Sequence, residues 1–306
     1  MRNYGLLLEQ EASSKDWVMG GVTGIIPEIL QPTGDWSEFL PIYEPQYKGF
    51  DTYSCVSYSA NNCLETIYNR KYGLEENFSD RYPAKTSGTT PSGNTFSAVA
   101  NSILKYGIVR EPKWPFSDDI KNWNEYMDDI PVEVLQDGQS SFDSYDIRWE
   151  WANSLPLTEA LKYSPLQIGV HAWEKPVNGI YQRTDKPKNH AVMLYAYKKN
   201  EYWLIYDHYH NEIKKLAWDF WFGSKLRYNI SNTMPKQFDD NLLVMDAQDT
   251  GAIGMTLDGK IILDDLAKVH AMWSMRTDGD VKGKTKSLTK EEWDAIPKIN
   301  LQKEPV

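Results

Sequence analysis

Two cysteines and five histidines are the residues of this 306-residue chain best suited to nucleophilic chemistry. Cys55 and Cys63 lie in DTYSCVSYSANNCLE, residues 51–65; the histidines are His171, His190, His208, His210 and His270. A thiol beside an imidazole can attack a carbonyl, because the imidazole takes the thiol proton and a third group orients the ring. The same residue types can ligate a metal, and two cysteines can form a disulfide. Spacing separates these cases. Val56, Ala60, Cys63, Leu64 and Ile67 form an apolar stripe at helical spacing, which predicts a helix over 54–72 with Ser54 as N-cap and Gly73 as its stop. Along such a helix Cys55 and Cys63 stand ~12 Å apart. That exceeds the roughly 7 Å reach of a disulfide and is too far for a shared metal. Cys63 falls inside the stripe and reads as core packing. Cys55 sits in the first turn, where unbonded N–H groups and the helix dipole favour an anion. A thiol there is expected to have a lowered pKa and a reactive thiolate.

The histidines divide by context. His190 opens a predicted strand after the loop TDKPKN, so its ring can face a cleft. His208, His210 and Glu212 share one face of a strand end at period two, which fits a metal face or, with no fourth ligand in view, solvated histidines. His171 and His270 have no suggestive neighbours.

The elements that must hold these residues change along the chain. Residues 1–35 carry turn signals at Gly20-Gly21, Gly24 and Pro32-Thr33-Gly34 and read as an arm or small cap. After the 54–72 helix, Phe96, Val99, Ala100, Ile103 and Leu104 predict a second helix over 94–106, stopped by Gly107. The stretches 74–93 and 107–150 are rich in Pro, Asp, Ser and Asn and read as long ordered loops with short helical pieces. LTEALKYSP, 157–165, predicts a short helix. The period then shifts: LQIGVHAW (166–173), HAVMLYAYK (190–198), EYWLIYDHYH (201–210) and LRYNI (226–230) predict strands, with a tight turn at Lys199-Asn200. Helices first and an antiparallel sheet second make an α+β fold. Beyond about 233 the chain resembles a small α+β appendage, with an Asp258-Gly259 hairpin signal. It also carries a TKEE capping box at 289–292, flanked by Leu288 and Trp293 as a hydrophobic staple.

Bulk composition narrows the partners. The net charge is -10 and no Lys/Arg cluster stands out, which argues against nucleic acid or an anionic membrane as partner. No window approaches the ~18 apolar residues of a membrane span, and Leu6 to Leu8 is too short a run for a signal-peptide core. A cytoplasmic location is expected. Two cysteines make no disulfide framework, and neither metal nor cofactor is expected.

The spacing of the chemistry-bearing residues is similar to that of papain-like cysteine peptidases. His190 follows Cys55 by 135 residues and Asp207 follows it by 152, where that family has its His and Asn roughly 130–150 residues on. SCVSYSANNCLE resembles the family's SCWAFS…E helix start. PSGNTFSAVANSILKYGIVREPKWPF, 91–116, resembles its glycine-containing stretch, AxxYI-type helix and YPY-like end. PLQIGVHAWEKPVNGIYQRTDKPKNHAVMLYAY, 165–197, resembles its GIY and NHAV run, and YWLIYDHY, 202–209, its YWIIKNSW. The likeness spans about 36–230 in the family's order. It implies domains of 1–35 (arm), 36–232 (papain-like) and 233–306 (appendage), and a cleft between a helical half and a β half. It implies Cys55 as nucleophile, His190 as base, Asp207 as orienting group and Gly93 as a backbone partner for a peptide or protein substrate.

The departures are equally specific. Val56 replaces the Trp after the nucleophile. Gly49 stands where the oxyanion-hole Gln is expected, six residues before Cys55. Gln46, nine before, is the nearest substitute, and it requires residues within KGFDT to loop out. Tyr209 replaces the Trp that shields the third residue, and the CGSC disulfide cysteine is absent, in keeping with a reducing compartment. The arm is shorter than a typical inhibitory propeptide. Asp in place of Asn is also the choice of transglutaminase-like and arylamine acetyltransferase sites. Three readings therefore remain open: a peptidase, a transamidase or acyltransferase with the same triad, and a non-catalytic binding or assembly module. The last could serve in a phage particle, with a partner for 233–306.

Overall fold

The computed structural model describes residues 4–8, 28–73, 75–144, 146–153, 155–209 and 213–231, together with four strands beyond 243. The chain divides into two compact units, Met1–Ser231 and Asn232–Val306.

The first unit begins with a long buried helix, α1 (Cys55–Tyr72), followed by α2 (Arg81–Thr86) and α3 (Phe96–Tyr106). Two shorter pieces, α4 (Trp123–Tyr126) and α6 (Leu157–Ala160), flank α5 (Val132–Ser144). Helix α1 ends where Gly73 turns left-handed at φ 64° and its N–H bonds Asn69 O, the conformation glycine adopts without a Cβ penalty. Ser54 does hold the N-cap position, but its side chain makes no capping bond. Its hydroxyl donates instead to Thr52 O at 2.8 Å, and the helix start rests on burial rather than on a cap. Thr95 caps α3 by accepting from Ala98 N.

Seven strands form one sheet: β1 (Asp146–Trp151), β2 (Leu166–Val170), β3 (Ile180–Tyr181), β4 (His190–Lys198), β5 (Tyr202–Tyr206), β6 (Ile213–Ala217) and β7 (Lys225–Ser231). Their order is β1-β7-β2-β4-β5-β6-β3, antiparallel throughout except for the β3–β6 pair. The α+β layout is as predicted, with three differences. The 107–150 stretch contains a 13-residue helix and most of a six-residue strand rather than long loops with only short helical pieces, because β1 is completed by pairing with β7, far away in sequence. IKKLA forms β6, which its two adjacent lysines, Lys214 and Lys215, concealed. The strands predicted to run to 173 and 210 end at Val170 and Tyr206.

One face of α1 packs on β4, β2 and β7, so that Ala60, Cys63, Leu64 and Ile67 share one core with Ile168, Val192, Leu194 and Leu226. A polar strut crosses this contact. Gln167 donates to Val56 O at 2.7 Å and to Ser59 Oγ at 2.8 Å, and accepts from Tyr228 OH at 3.1 Å. It fixes the start of α1 against the middle of the sheet.

In the second unit, β8 (Val244–Ala247), β9 (Ala252–Thr256), β10 (Lys260–Leu263) and β11 (Thr285–Leu288) form a sheet in the order β10-β9-β8-β11. Thr256 pairs with Lys260, so β9 and β10 flank Asp258-Gly259 as an antiparallel pair. The turn itself, the capping box and Trp293 lie outside the described residues.

Candidate active site

The sheet register brings the His and the Asp together. Met193 of β4 pairs with Tyr206 of β5, so Asp207, one residue on, falls beside Val192. His190 lies two residues from Val192 on the same face, the diagonal neighbour across an antiparallel pair. The outcome is a 2.6 Å bond between His190 Nε2 and Asp207 Oδ1, with both side chains fully buried.

Asp207 is held by three further donors: Trp173 Nε1 at 2.8 Å, Lys214 Nζ at 2.7 Å and its neighbour's backbone, His208 N, at 2.8 Å. Burial alone would raise its pKa. The His190 charge and hydrogen bond, then Lys214, outweigh that and keep the carboxyl well below the usual carboxylate range. An ionised carboxylate only accepts hydrogen bonds. His190 Nε2 therefore carries a proton, and in the neutral ring Nδ1 is the bare nitrogen. That Nδ1 is buried and has no hydrogen-bond partner. Aromatic rings pack about the imidazole: Tyr4 at 5.2 Å, Tyr209 at 5.3 Å and Trp173 at 5.9 Å between centroids.

Cys55 lies at the first turn of α1, and both cysteines are free and buried. Backbone hydrogen bonds from Ala191 and Val56 reach its thiol, so the sulfur sits against the residue next to His190. The expected lowering of its pKa does not hold in this state. Burial pushes the thiol far up, and the Asp51 and Asp207 carboxylates add to the rise, against the Ala191 and Val56 bonds. Desolvation of the thiolate exceeds what a helix N-terminus supplies.

Gln46 is fully buried and its backbone N–H bonds His208 O. The residues after it do loop out: Tyr47 bridges Asp51, and Gly49 turns with φ 81°. The Gln46 amide donates to Asp51 Oδ1 at 3.2 Å and to Tyr4 O at 3.3 Å. Asp51 in turn accepts from Tyr209 OH and from the backbone of Tyr53.

Tyr4 belongs to a segment, residues 4–8, that runs through this site. Asn94 N donates to Gly5 O at 2.9 Å and Leu7 N donates to Asn94 O at 2.8 Å, a short parallel bridge. Gly93, at φ 99°, gives the close approach: a Cβ there would lie 2.0 Å from Gly5 O. The backbone ladder itself runs through Asn94, one residue beyond Gly93.

His208 is buried rather than solvated. It stacks near Tyr58 and its Nδ1 is 3.3 Å from Asn62 Nδ2. Burial, with the His190 and Lys214 charges, pushes its pKa down to about 3. His210, Glu212 and His270 lie outside the described residues. Among those described, no group of three or more His, Cys, Asp or Glu is placed to hold a metal ion. His171 bonds Pro187 O through Nδ1, away from the dyad. Trp173, Lys214 and Asp51 were not singled out from sequence.

No family model and no curated protein matches the chain. Solved structures do. A cysteine protease from Xylella fastidiosa, xylellain, superposes with TM-score 0.56 at 12% identity, over 75% of this chain and 97% of that one. The proform of the ragweed pollen allergen Amb a 11, a cysteine protease, superposes with TM-score 0.52 at 16% identity, over 74% and 73%. A helical half whose first long helix starts at Cys55, a mostly antiparallel sheet whose strand β4 starts at His190, and these neighbours together define a papain-like fold.

Proposed function

We propose that the chain is a cysteine peptidase in which Cys55 is the nucleophile, His190 the base and Asp207 the orienting group. The supporting observation is the buried His190–Asp207 bond, which leaves Nδ1 bare on a ring whose neighbouring residue, Ala191, bonds the Cys55 thiol. In this reading the Cys55 proton passes to His190 Nδ1 and the thiolate attacks the carbonyl carbon of the scissile bond. The Gln46 amide and the Cys55 backbone N–H stabilise the oxyanion. As the tetrahedral adduct collapses, the C–N bond breaks and His190 gives its proton to the leaving amine. Water, deprotonated by His190, then attacks the thioester, and the acid leaves as the thiol reforms. Lys214 and Trp173 keep Asp207 ionised and fixed, which holds the required tautomer.

The test combines two measurements. Iodoacetamide labelling should modify Cys55 in competition with peptide substrates, and Cys55→Ala should remove hydrolysis while leaving the fold. Intact hydrolysis in Cys55→Ala would sink the reading. The aspartate at position 207 also suits transfer to an amine acceptor. Mass spectrometry of products formed with added amine separates a transamidase from a hydrolase.

A further inference from the structure

The segment 4–8 packs Leu6 over Gly169, where Leu6, Leu7 and Leu8 wall a small void together with Phe96, Gly169, Lys188 and Ser224. Two glycines keep its floor bare. A Cβ on Gly169 would stand 3.3 Å from Leu6 Cδ2, and one on Gly223 would stand 3.0 Å from Lys188 Cγ. Lys188 lies along this floor and is only 6% exposed. Its Nζ has no hydrogen-bond partner among the described residues and rests 3.6 Å from the centroid of the Trp221 ring. Of the charged groups nearest in sequence, Lys186 pairs with Glu174 and Asp185 with Arg183 at 3.7 Å, and Asp185 acts on Lys188 through its charge alone. A buried ammonium with only a π-face beside it is poorly compensated, and burial pushes its pKa down to about 8. An aliphatic occupant such as Leu6 does nothing to repair this.

We infer that the Leu6 pocket is a substrate subsite selecting an acidic side chain, with Lys188 as the residue that sets the preference. The inference rests on the peptidase reading and names its substrate class. A glutamate in place of Leu6 carries its carboxylate oxygens one bond beyond the leucine methyls, toward the pocket floor. There the carboxylate and ammonium gain a charge-assisted bond out of water. A glutamine of the same shape gains only a neutral acceptor, so the Glu–Gln difference isolates the charge.

The first experiment uses the full chain and needs no catalysis. Leu6→Glu and Leu6→Gln are compared by thermal unfolding, each with Lys188 and with Lys188→Met. Glu should melt several degrees above Gln with Lys188 present, and the gap should close with Met. Lys188→Met removes a buried ammonium without changing the shape greatly, so the fold should persist. Equal melting of Leu6→Glu and Leu6→Gln in the Lys188 chain overturns the inference. The second experiment moves Glu or Gln through the four residues before the scissile bond of a fluorogenic peptide. At one position Glu should exceed Gln about tenfold or more in kcat/KM, falling to within about twofold in Lys188→Met. A Glu preference that survives Lys188→Met also overturns it. If no peptide is cut but the melting gap appears and depends on Lys188, the peptidase reading fails and the acidic pocket stands.

Discussion

At the scale of single residues the site is a set of titratable groups whose neighbours push them in opposite directions. Asp207 is held down by His190 and Lys214, while His208, beside it, is held neutral by burial. The sign of the His208 effect is fixed. Its folded pKa of about 3 lies below the ordinary 6.5, so between those values the unfolded chain binds more protons and stability falls as the pH falls. The full extent is on the order of 5 kcal/mol. His208→Gln cannot gain the proton. Urea midpoints followed from pH 7 to pH 4 should therefore drop less steeply in His208→Gln than in the parent; equal slopes would show that His208 titrates normally. The sequence carried Cys55, His190 and Asp207 through type and spacing. It could not carry the state of Cys55, because a helix N-terminus is local whereas burial depends on what the rest of the chain lays over it. Trp173 and Lys214 escaped for a similar reason. Their bond to Asp207 depends on how β5, β6 and the end of β2 align, which no short stretch records.

At the scale of elements, two contacts position α1, one neutral and one ionisable. The Gln167 strut bonds Val56 O, Ser59 Oγ and Tyr228 OH in the core. Gln167→Ala removes these three bonds and opens a cavity, so it should cost about 2–4 kcal/mol in urea unfolding. A loss under about 0.5 kcal/mol would mean the strut is dispensable. On the far side of α1, Glu65, Asp80, Glu44 and Glu111 crowd together; burial raises all four, and neighbouring carboxylates raise Glu65, Asp80 and Glu111 further. Glu111 is pushed up to about 8, so here the folded chain holds the extra proton and stability is lost as pH rises from about 4.5 to 8, opposite to His208. Glu111→Gln keeps an acceptor for Phe116 N, which bonds Glu111 Oε1 at 2.8 Å, and drops the charge. It should be more stable than the parent at pH 8.5 by about 1–2 kcal/mol and no more stable at pH 5. The α1 stripe and the β4–β5 hairpin were legible because their periods are local and strong. β1 was not, since it is completed by β7 far along the chain, and β6 was hidden by the adjacent Lys214 and Lys215 although it pairs with its neighbour β5.

At the scale of the whole first unit, the N-terminal segment and the cleft are one device. Tyr4 packs on His190 and offers its carbonyl to Gln46, Gly5 meets Gly93, and Leu6 packs over Gly169. The turn signals of residues 1–35 suggested an arm, but nothing in them showed where it would lie. Its docking bonds involve backbone at Gly5, Leu7 and Asn94, which any sequence offers. Cys55 is 0% exposed in this arrangement, and under the peptidase reading reagent and substrate reach it when the segment lifts. Burying Leu6 contributes about 1.5–3 kcal/mol to docking. Leu6→Ala should return most of that and raise the lifted fraction roughly tenfold to a hundredfold. Iodoacetamide labelling of Cys55 at pH 7.5 should accelerate by the same factor, and hydrolysis of a saturating peptide by less, since substrate itself competes for the cleft. Thermal stability of Leu6→Ala should fall by only a few degrees, which separates lifting of the segment from general unfolding. If labelling of Cys55 is no faster in Leu6→Ala, the thiol is hidden by the core around α1 and not by residues 4–8. In that case the burial that raises its pKa is a permanent feature of the molecule rather than one state of a cleft that opens.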